Sequence, residues 1–200
     1  MPQGSAYANA TTLGTAAVVI SQVMLGIPHV HLAPATLSLL FVPTALVTGG
    51  LIQLISCVFA FLRGEEFSAV AFGLFGSFFL SLGMFPLLGT SGLLQFGPDT
   101  GTAVGTFLLV WGVFTLGITV IAFRRQRLLG VMFLFVTGSM VGAGLHFLHG
   151  LDTAVGGWSG IASAVVGAML VFGKLWAPAT AKESRPGAFE RDFSGGALTR

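Results

Sequence analysis

The sequence predicts an all-α integral membrane protein with six transmembrane helices. Only 8% of its 200 residues are Asp, Glu, Lys or Arg, whereas a soluble domain carries about 25%. Hydrophobic residues make up 54% of the chain, and the mean hydropathy is +0.91. Nine basic and seven acidic side chains cannot solvate the surface of a 20.7 kDa protein, so its apolar surface must face the lipid bilayer. This composition excludes a soluble enzyme and most nucleic-acid-binding proteins.

Gaps between charged residues mark the six spans. About 20 apolar residues cross the roughly 30 Å hydrocarbon core. The gap before Arg63 is long enough for two helices, and Pro28, His29, His31 and Pro34 interrupt its middle. The other gaps hold one helix each and run from Glu66 to Asp99, Asp99 to Arg124, Arg127 to Asp152, and Asp152 to Lys174. The predicted spans are 13–27, 35–62, 67–88, 104–123, 128–148 and 155–175.

The first span is the least hydrophobic, because it contains Thr15, Ser21 and Gln22. A cleaved signal peptide would carry Lys or Arg before its apolar segment. Neither residue precedes this span, and another span follows it directly. We therefore interpret it as a helix that stays in the membrane.

The basic residues predict how the chain is oriented. With six spans, both termini lie on the same side as the loops 63–66 and 124–127 and the segment from Lys174 onward, which together contain all nine Lys and Arg. The positive-inside rule then makes both termini cytoplasmic. The chain divides into a cytoplasmic N-terminal segment 1–12, a six-helix transmembrane domain 13–177 and a cytoplasmic tail 178–200. Mixed charges, Gly and Pro in the tail predict disorder.

Small residues recur four positions apart inside three spans. The pairs are Gly73 and Ser77, Gly138 and Gly142, Gly160 and Ala164, and Ser163 and Gly167. Small residues at this spacing let helices approach closely in lipid, where no hydrophobic effect drives helices together. They predict tight helix contacts, either within one protomer or between subunits.

No Asp, Glu, Lys or Arg lies inside a predicted span, and Lys174 lies at a span end, where its side chain can reach the interface. This pattern argues against a pump with a carboxylate relay, because intramembrane ionisable groups mark such pathways. The remaining polar residues suit a narrow path for a small solute. Most Ser and Thr hydroxyls should bond to their own helix backbone. The amides of Gln22 and Gln53 need several partners each.

Four histidines fall at the predicted outer ends of the spans. His29 and His31 lie in the first connection, and His146 and His149 lie near the end of the fifth span. They could form a pH-sensitive ring in which His146 and His149 titrate, or they could simply lie at the interface. Their spacing, without Cys or carboxylate partners, fits no recognised metal site. The sequence also lacks phosphate-loop, Gly-x-Ser-x-Gly and zinc-protease motifs, so we predict no enzyme activity, metal or cofactor.

Five segments resemble the acetate uptake transporter family. They are GGLIQ at 49–53, FLRGEEF at 61–67, AFGLFGSFF at 71–79, LVWGVFT at 109–115 and NATTLG at 9–14. The first three follow the order of the family's GG-x-x-Q segment, basic-Gly turn and AF-x-x-Y-G-x-F-W segment. The last stands where the family has N-P-A-P-L-G. The resemblance extends over roughly residues 9–175.

The resemblance implies a six-helix protomer in the plasma membrane, with cytoplasmic termini, assembled as a ring-like homo-hexamer with a separate path through each subunit. Family members move acetate and related monocarboxylates, and some also move succinate, either coupled to protons or in a channel-like manner. The family's hydrophobic constriction falls by position on Val18, Phe75 and Val136.

The signature segment also falls by position on this chain. It makes Asn9, Thr11 and Thr12 candidate polar residues of the path, and the family's glutamine falls on Gln53. Ala10 and Thr12 replace both signature prolines, so the backbone angle that proline imposes at the helix entrance is lost.

The constriction differs from the family pattern as well. Val18 lacks an aromatic ring and Phe75 lacks the phenolic hydroxyl, which leaves the constriction wholly apolar. Hydrophobic constrictions gate by dewetting, so these departures bear on substrate and conductance.

The sequence therefore predicts transmembrane transport of acetate and similar short carboxylates, with protons as possible co-transported ions. Uptake should be favoured at mildly acidic pH, and Gln53 should offer hydrogen-bond donors to a carboxylate. One alternative is a passive channel for a small neutral solute such as urea, an amide or ammonia. Another is a membrane protein that does not transport and signals through its tail.

Overall fold

The computed structural model describes residues 9–176, and six of its helices are long and apolar enough to cross a membrane. We number them α1 to α6: Ala10–His29, Thr36–Leu62, Glu66–Thr90, Gly97–Arg125, Arg127–His149 and Thr153–Trp176. The protein is a multi-pass membrane protein, and the predicted number and order of spans are confirmed. The predicted tail 178–200 lies outside the described residues.

Five of the six described spanning helices extend beyond the predicted spans, whereas α2 matches its predicted span to within one residue. α1 begins at Ala10 rather than at residue 13, because the Asn9 side chain accepts a hydrogen bond from the Thr11 backbone N–H at 2.8 Å. The proposed boundary between residues 12 and 13 therefore lies inside α1. Hydropathy locates the lipid-embedded part of a helix, whereas capping sets where the helix ends.

α2 is less regular than its continuous apolar sequence predicts. It enters the bundle as a 3₁₀ turn over Ala35–Leu40, continues as a π-helical stretch over Thr44–Ile52 and becomes a regular α-helix over Gln53–Leu62. Pro43 lies just before the π-helical stretch and lacks the backbone N–H that a regular helix would use. π-helical turns are frequent at functional sites.

Glycines allow several helices to pack closely. A Cβ at Gly142 of α5 would lie 2.8 Å from the Cα of Gly156 in α6, and one at Gly167 would lie 2.7 Å from Val19 Cγ2 in α1. A Cβ at Gly49 of α2 would lie 2.7 Å from the ring of Phe79 in α3. Small-residue contacts within one protomer, one of the two predicted alternatives, therefore join α6 to α1 and α5, and an additional glycine contact joins α2 to α3.

The two ends of the bundle differ in charge. Thr11 near the start of α1 hydrogen-bonds to Glu65, and it also shares a cavity with Gln126 and Lys174. We call this end the N-terminal face; its described basic residues are Arg63, Arg124, Arg125, Arg127 and Lys174. The other end, here the opposite face, carries Asp99, Asp152 and the histidines. The predicted gathering of basic loops on one side is thus present; the cytoplasmic location of that side stays a prediction.

Candidate permeation path

A large cavity of about 700 Å³ lies toward the opposite face of the bundle. Its walls come from α1 to α5 and are mostly apolar, with Leu25, Phe41, Leu82, Phe85, Leu108 and Phe147 among them. The polar side chains at its walls are His29, Thr90, Gln95 and Thr100. An apolar pocket of this size with a few polar groups is typical of a small-molecule site.

Two much smaller cavities, of about 40 Å³ each, lie toward the N-terminal face. The first, the small cavity, is lined by Thr11, Thr15, Val18, Phe67, Ser68, Ala71, Phe72, Phe75, Leu129, Met132 and Phe133. The second, the mouth cavity, is lined by Thr11, Thr12, Thr15, Gln126, Leu129, Leu170, Val171 and Lys174. Thr11 and Thr15 contribute to both, so the first turns of α1 separate these two spaces.

The large and small cavities lie at successive depths along the same three helices. In each helix one residue lines the small cavity and a later one lines the large cavity. These pairs are Val18 and Leu25 in α1, Phe75 and Leu82 in α3, and Phe133 and Ala143 in α5. Seven residues of helix, as between Val18 and Leu25, rise about 10.5 Å. The two cavities are therefore separated by a layer about two helical turns thick.

We call this layer the closed segment; it contains Gln22 of α1, Phe78 and Phe79 of α3, and Val136 and Met140 of α5. All five side chains are buried. The rings of Phe78 and Phe79 meet edge to face with centroids 5.2 Å apart. Closely packed side chains, apolar except for Gln22, thus separate the two cavities.

The predicted constriction residues lie at the boundary between the small cavity and the closed segment. Val18 and Phe75 line the same cavity, and Val136 lies about one turn beyond Met132 and Phe133 on α5. All three predicted residues are buried and apolar. The ring of Phe133 lies 5.5 Å from that of Phe75. Sequence reasoning missed Phe133, because no motif singles it out among the apolar residues of α5.

The predicted polar residues have different environments. The Asn9 side chain caps α1 and is not among the residues that line these three cavities. Thr12 lines the mouth cavity, and Thr11 lines both the mouth and small cavities. Gln53 is fully buried, and within the described part of the chain neither its Oε1 nor its Nε2 has a hydrogen-bond partner.

Hydroxyl groups in the spans mostly bond to their own helices, as predicted. Ser56 donates to the Ile52 carbonyl at 2.9 Å, and Thr119 donates to the Thr115 carbonyl at 2.8 Å. These groups are already satisfied. The buried amides are different: the Gln22 Oε1, like both polar atoms of Gln53, has no partner among the described residues.

Glu65 lies at the N-terminal face and contacts Thr11, a residue that lines the small cavity. Its Oε2 accepts a hydrogen bond from Thr11 Oγ1 at 3.0 Å, and its Oε1 accepts one from Arg63 Nε at 2.7 Å. Burial raises the pKa of the Glu65 carboxyl, but the hydrogen bonds from Arg63 and Thr11 and the charges of Arg63 and Lys174 outweigh it and hold the pKa below its usual value. The sequence analysis did not identify this group.

The histidines occupy separate positions near the opposite face. His29 lines the large cavity, whereas the His146 Nδ1 lies 2.6 Å from the Leu151 carbonyl oxygen. The His31 Nε2 lies 3.9 Å from Asp152, and His149 is exposed. Titration of His146 and His149 thus stays a prediction. Within residues 9–176, no three His, Cys, Asp or Glu side chains are grouped so that they could hold a metal ion.

Comparison with solved structures supports the fold. The bacterial acetate channel SatP superposes with a TM-score of 0.80 at 22% sequence identity, over 91% of this chain and 99% of that one. At this identity the similarity establishes the fold alone.

Several relatives are similar in sequence. An uncharacterized protein of Methanothermobacter thermautotrophicus is 31% identical over 162 residues, which are 77% of this chain and 78% of that protein. The acetate transporter protein patA of Penicillium expansum is 30% identical over 115 residues, 56% of this chain and 46% of the relative. The ammonia transport outward protein 2 of Saccharomyces cerevisiae is 28% identical over 130 residues, covering 64% and 46%. The chain spans about half the length of these fungal relatives.

A family model for the GPR1/FUN34/yaaH family matches residues 1–183, nearly the whole chain. This match confirms the resemblance that the sequence motifs indicate. The chain belongs to the GPR1/FUN34/yaaH family.

Proposed function

We propose that the protein is a plasma-membrane transporter or channel for acetate and related short carboxylates, including succinate as a candidate. The observation that carries this proposal is the pair of cavities, one toward each face, separated by the thin closed segment. The names of two relatives, acetate transporter protein patA and the bacterial acetate channel SatP, point to the same substrate. These two names describe a transporter and a channel, which supports the prediction that the protein is not an enzyme.

The proposed path runs from the large cavity through the closed segment to the small and mouth cavities. No Asp, Glu, Lys or Arg belongs to the described walls of the large cavity, whereas Lys174 lines the mouth cavity. Among the described residues that line these cavities, the Lys or Arg that a carboxylate meets is therefore at the N-terminal face, whereas the large cavity offers His29.

Moving a bare carboxylate through an apolar layer costs several kcal/mol of lost hydration unless it is protonated or hydrogen-bonded. The buried amide of Gln53 has two N–H donors without a partner in the described chain. This amide supports our proposal that Gln53 stabilises the permeant. No cofactor is needed in this scheme, and protons are the candidate co-transported ions.

A homo-hexamer is the proposed assembly, with one path in each subunit. Large apolar side chains stay exposed along the helices, including Val113 of α4 and Phe172 of α6, which are 73% and 67% exposed. Such surfaces must be covered by lipid or by neighbouring subunits. Native mass spectrometry in detergent should show six copies, and a spectrum with monomers alone would contradict this assembly.

A channel for a small neutral solute is the second candidate. A yeast relative carries the name ammonia transport outward protein 2, and the apolar closed segment is compatible with a neutral solute. Flux measurements with competing carboxylates distinguish the two functions. Acetate flux that propionate blocks supports carboxylate transport, whereas urea or ammonia flux that is insensitive to carboxylates supports the alternative.

The direct test is uptake of labelled acetate by purified protein in liposomes. We expect faster uptake at mildly acidic pH and slower uptake in Gln53→Ala. Ile55→Ala, on the partly exposed side of the same helix, is the control and should resemble the wild type. Protein-dependent uptake that neither pH nor Gln53→Ala changes would contradict the proposed chemistry.

A further inference from the structure

One face of α1 connects the two cavities. Thr11, Thr15 and Val18 line the small cavity, and Leu25 and His29 line the large one. When Gln22 is added between Val18 and Leu25, each residue of this set lies four or three positions after the one before it. Residues at such spacing share one face of a helix. Gln22 therefore occupies the path-facing position of α1 inside the closed segment.

The side chain of Gln22 is buried there without a complete set of hydrogen bonds. It is 2% exposed, and its Oε1 has no partner among the described residues. A Cβ at Gly160 of α6 would lie 3.3 Å from this oxygen and 3.1 Å from the Oγ of Ser139 in α5. The absence of a side chain at Gly160 thus lets α6 pack closely beside the Gln22 carbonyl oxygen, next to α5.

An unsatisfied buried acceptor destabilises the resting protein, so it calls for an explanation. A carbonyl oxygen can only accept a hydrogen bond, and an ionised carboxylate can only accept as well. The two therefore repel each other. A protonated carboxylic acid is different, because its O–H group can donate to the Gln22 oxygen.

We propose that the Gln22 carbonyl oxygen is the acceptor site of the closed segment and that it selects the undissociated acid rather than the carboxylate ion. This inference rests on the proposed transport of acetate and names the form that crosses the narrowest layer. The recognised chemistry is a small neutral molecule with a hydrogen-bond donor. The acid donates a hydrogen bond from its O–H group to the Gln22 oxygen, while its methyl group contacts the apolar side chains of the closed segment.

The surroundings of Gln22 supply no competing charge. Gly160 of α6 lies beside its oxygen, and the Ser139 hydroxyl of α5 approaches the same Cβ position of Gly160. The titratable groups of the segments packed against α1 lie elsewhere. They are Cys57 of α2 beside Gly73, Arg63 and Glu65 at the connection between α2 and α3, Arg127, His146 and His149 near the ends of α5, and Lys174 near the end of α6. His29 lies at the far end of α1 itself. A pH dependence that arises at the Gln22 oxygen would then reflect protonation of the permeant, because His29 and Glu65 lie outside the closed segment.

The test uses full-length protein in liposomes and labelled acetate, with uptake by protein-free vesicles subtracted. Initial rates are measured against pH and against an imposed potassium diffusion potential. The variants are Gln22→Met, which keeps the length of the side chain but removes the acceptor, and Gln22→Glu, whose neutral form keeps a carbonyl acceptor. Ile20→Met, at a half-exposed position of α1, is the control. Gel filtration and melting in detergent report folding.

We expect wild-type rates to follow the concentration of undissociated acid and to ignore the potential. Gln22→Met should lose roughly two- to tenfold in rate, the range that corresponds to one lost hydrogen bond. Gln22→Glu should transport at acidic pH and fail as its own carboxyl ionises, whereas Ile20→Met should behave like the wild type. The Gln22→Glu profile tests the inference even where Gln22→Met fails to fold.

Wild-type rates that follow the potential and the concentration of carboxylate would overturn the inference, because Gln22 would then present its NH₂ group to an anion. Equal rates and pH profiles in wild type, Gln22→Met and Gln22→Glu would also overturn it while leaving acetate transport intact. Wild-type protein without any acetate flux, but with ammonia flux that Gln22→Met abolishes, would refute the proposed function and the acid form together.

Discussion

Thr11 Oγ1 donates a hydrogen bond to Glu65 Oε2 across 3.0 Å, which joins the first turn of α1 to the connection between α2 and α3. The same hydroxyl lies 3.3 Å from the Ser68 Oγ. Because Thr11 lines both the small and mouth cavities, this contact fixes the N-terminal end of the candidate path.

Removing the hydroxyl of Thr11 should loosen this end. In Thr11→Val the Glu65 carboxylate loses one of its two donors, so we expect the free energy of unfolding to fall by about 1 kcal/mol. Thermal melting in detergent measures the change. Thr11→Ser keeps the hydroxyl and should melt close to the wild type; equal melting of Thr11→Val and Thr11→Ser would show that the contact does not stabilise the protein.

Glu65 should make stability depend on pH. Its pKa in the folded protein is lowered, relative to an unfolded value of about 4.3. The folded state therefore binds the proton less tightly than the unfolded state. The contribution of the carboxylate to stability is fully present above the unfolded pKa and is lost as pH falls through the folded pKa.

Glu65→Gln tests that linkage. We expect the variant to melt below the wild type at neutral pH, and the difference to shrink as the pH falls below about 4. Melting curves of both proteins across this range provide the comparison. A difference in melting temperature that stays constant down to acidic pH would contradict the role of ionised Glu65.

Close packing at Gly142 should tolerate no side chain. A Cβ there would lie 2.8 Å from backbone atoms of Gly156, so Gly142→Ala should destabilise the protein by roughly 1–3 kcal/mol. Gly117 of α4 is the matched control, since a Cβ there meets nothing within 4 Å. Gly117→Ala should leave the melting temperature unchanged or raise it, because alanine favours helix. Similar melting temperatures for the two variants would contradict the α5–α6 contact.

Phe75 should limit the size of the permeant. Its ring lies against the small cavity and 5.5 Å from the Phe133 ring, so Phe75→Ala should widen the path. We expect the ratio of butyrate to acetate uptake in liposomes to rise several-fold. Phe172→Ala, on the exposed side of α6, should leave the ratio unchanged, and an equal ratio in all three proteins would exclude Phe75 from the path.

The six-helix architecture could be predicted because charge marks it directly. Arg63, Asp99, Asp152 and Lys174 all lie at helix ends or in loops, since charged groups avoid the hydrocarbon. The interior of α2 could not be predicted in the same way. Its sequence is uniformly apolar around Pro43, and hydropathy does not distinguish a regular helix from the π-helical stretch over Thr44–Ile52.

The candidate site was predictable only in part. The resemblance identified Val18 and Phe75, which line one cavity, and a buried amide needing partners was expected at Gln53 and Gln22. The contact between Thr11 and Glu65 joins residues 54 positions apart. Such a pairing depends on how α1 packs beside the connection between α2 and α3, and no local pattern encodes it.

Acetate uptake by liposomes containing Val18→Trp or Ile20→Trp tests the central claim most directly, because the two substitutions place the same large side chain on opposite sides of α1. Val18 is buried at the small cavity, whereas Ile20 is 50% exposed on the outside of the bundle. The proposed path predicts saturable wild-type uptake that propionate inhibits, uptake in Ile20→Trp at a similar rate, and uptake in Val18→Trp no faster than in protein-free vesicles. Wild-type uptake equal to that of protein-free vesicles, or undiminished uptake by well-folded Val18→Trp, would contradict it.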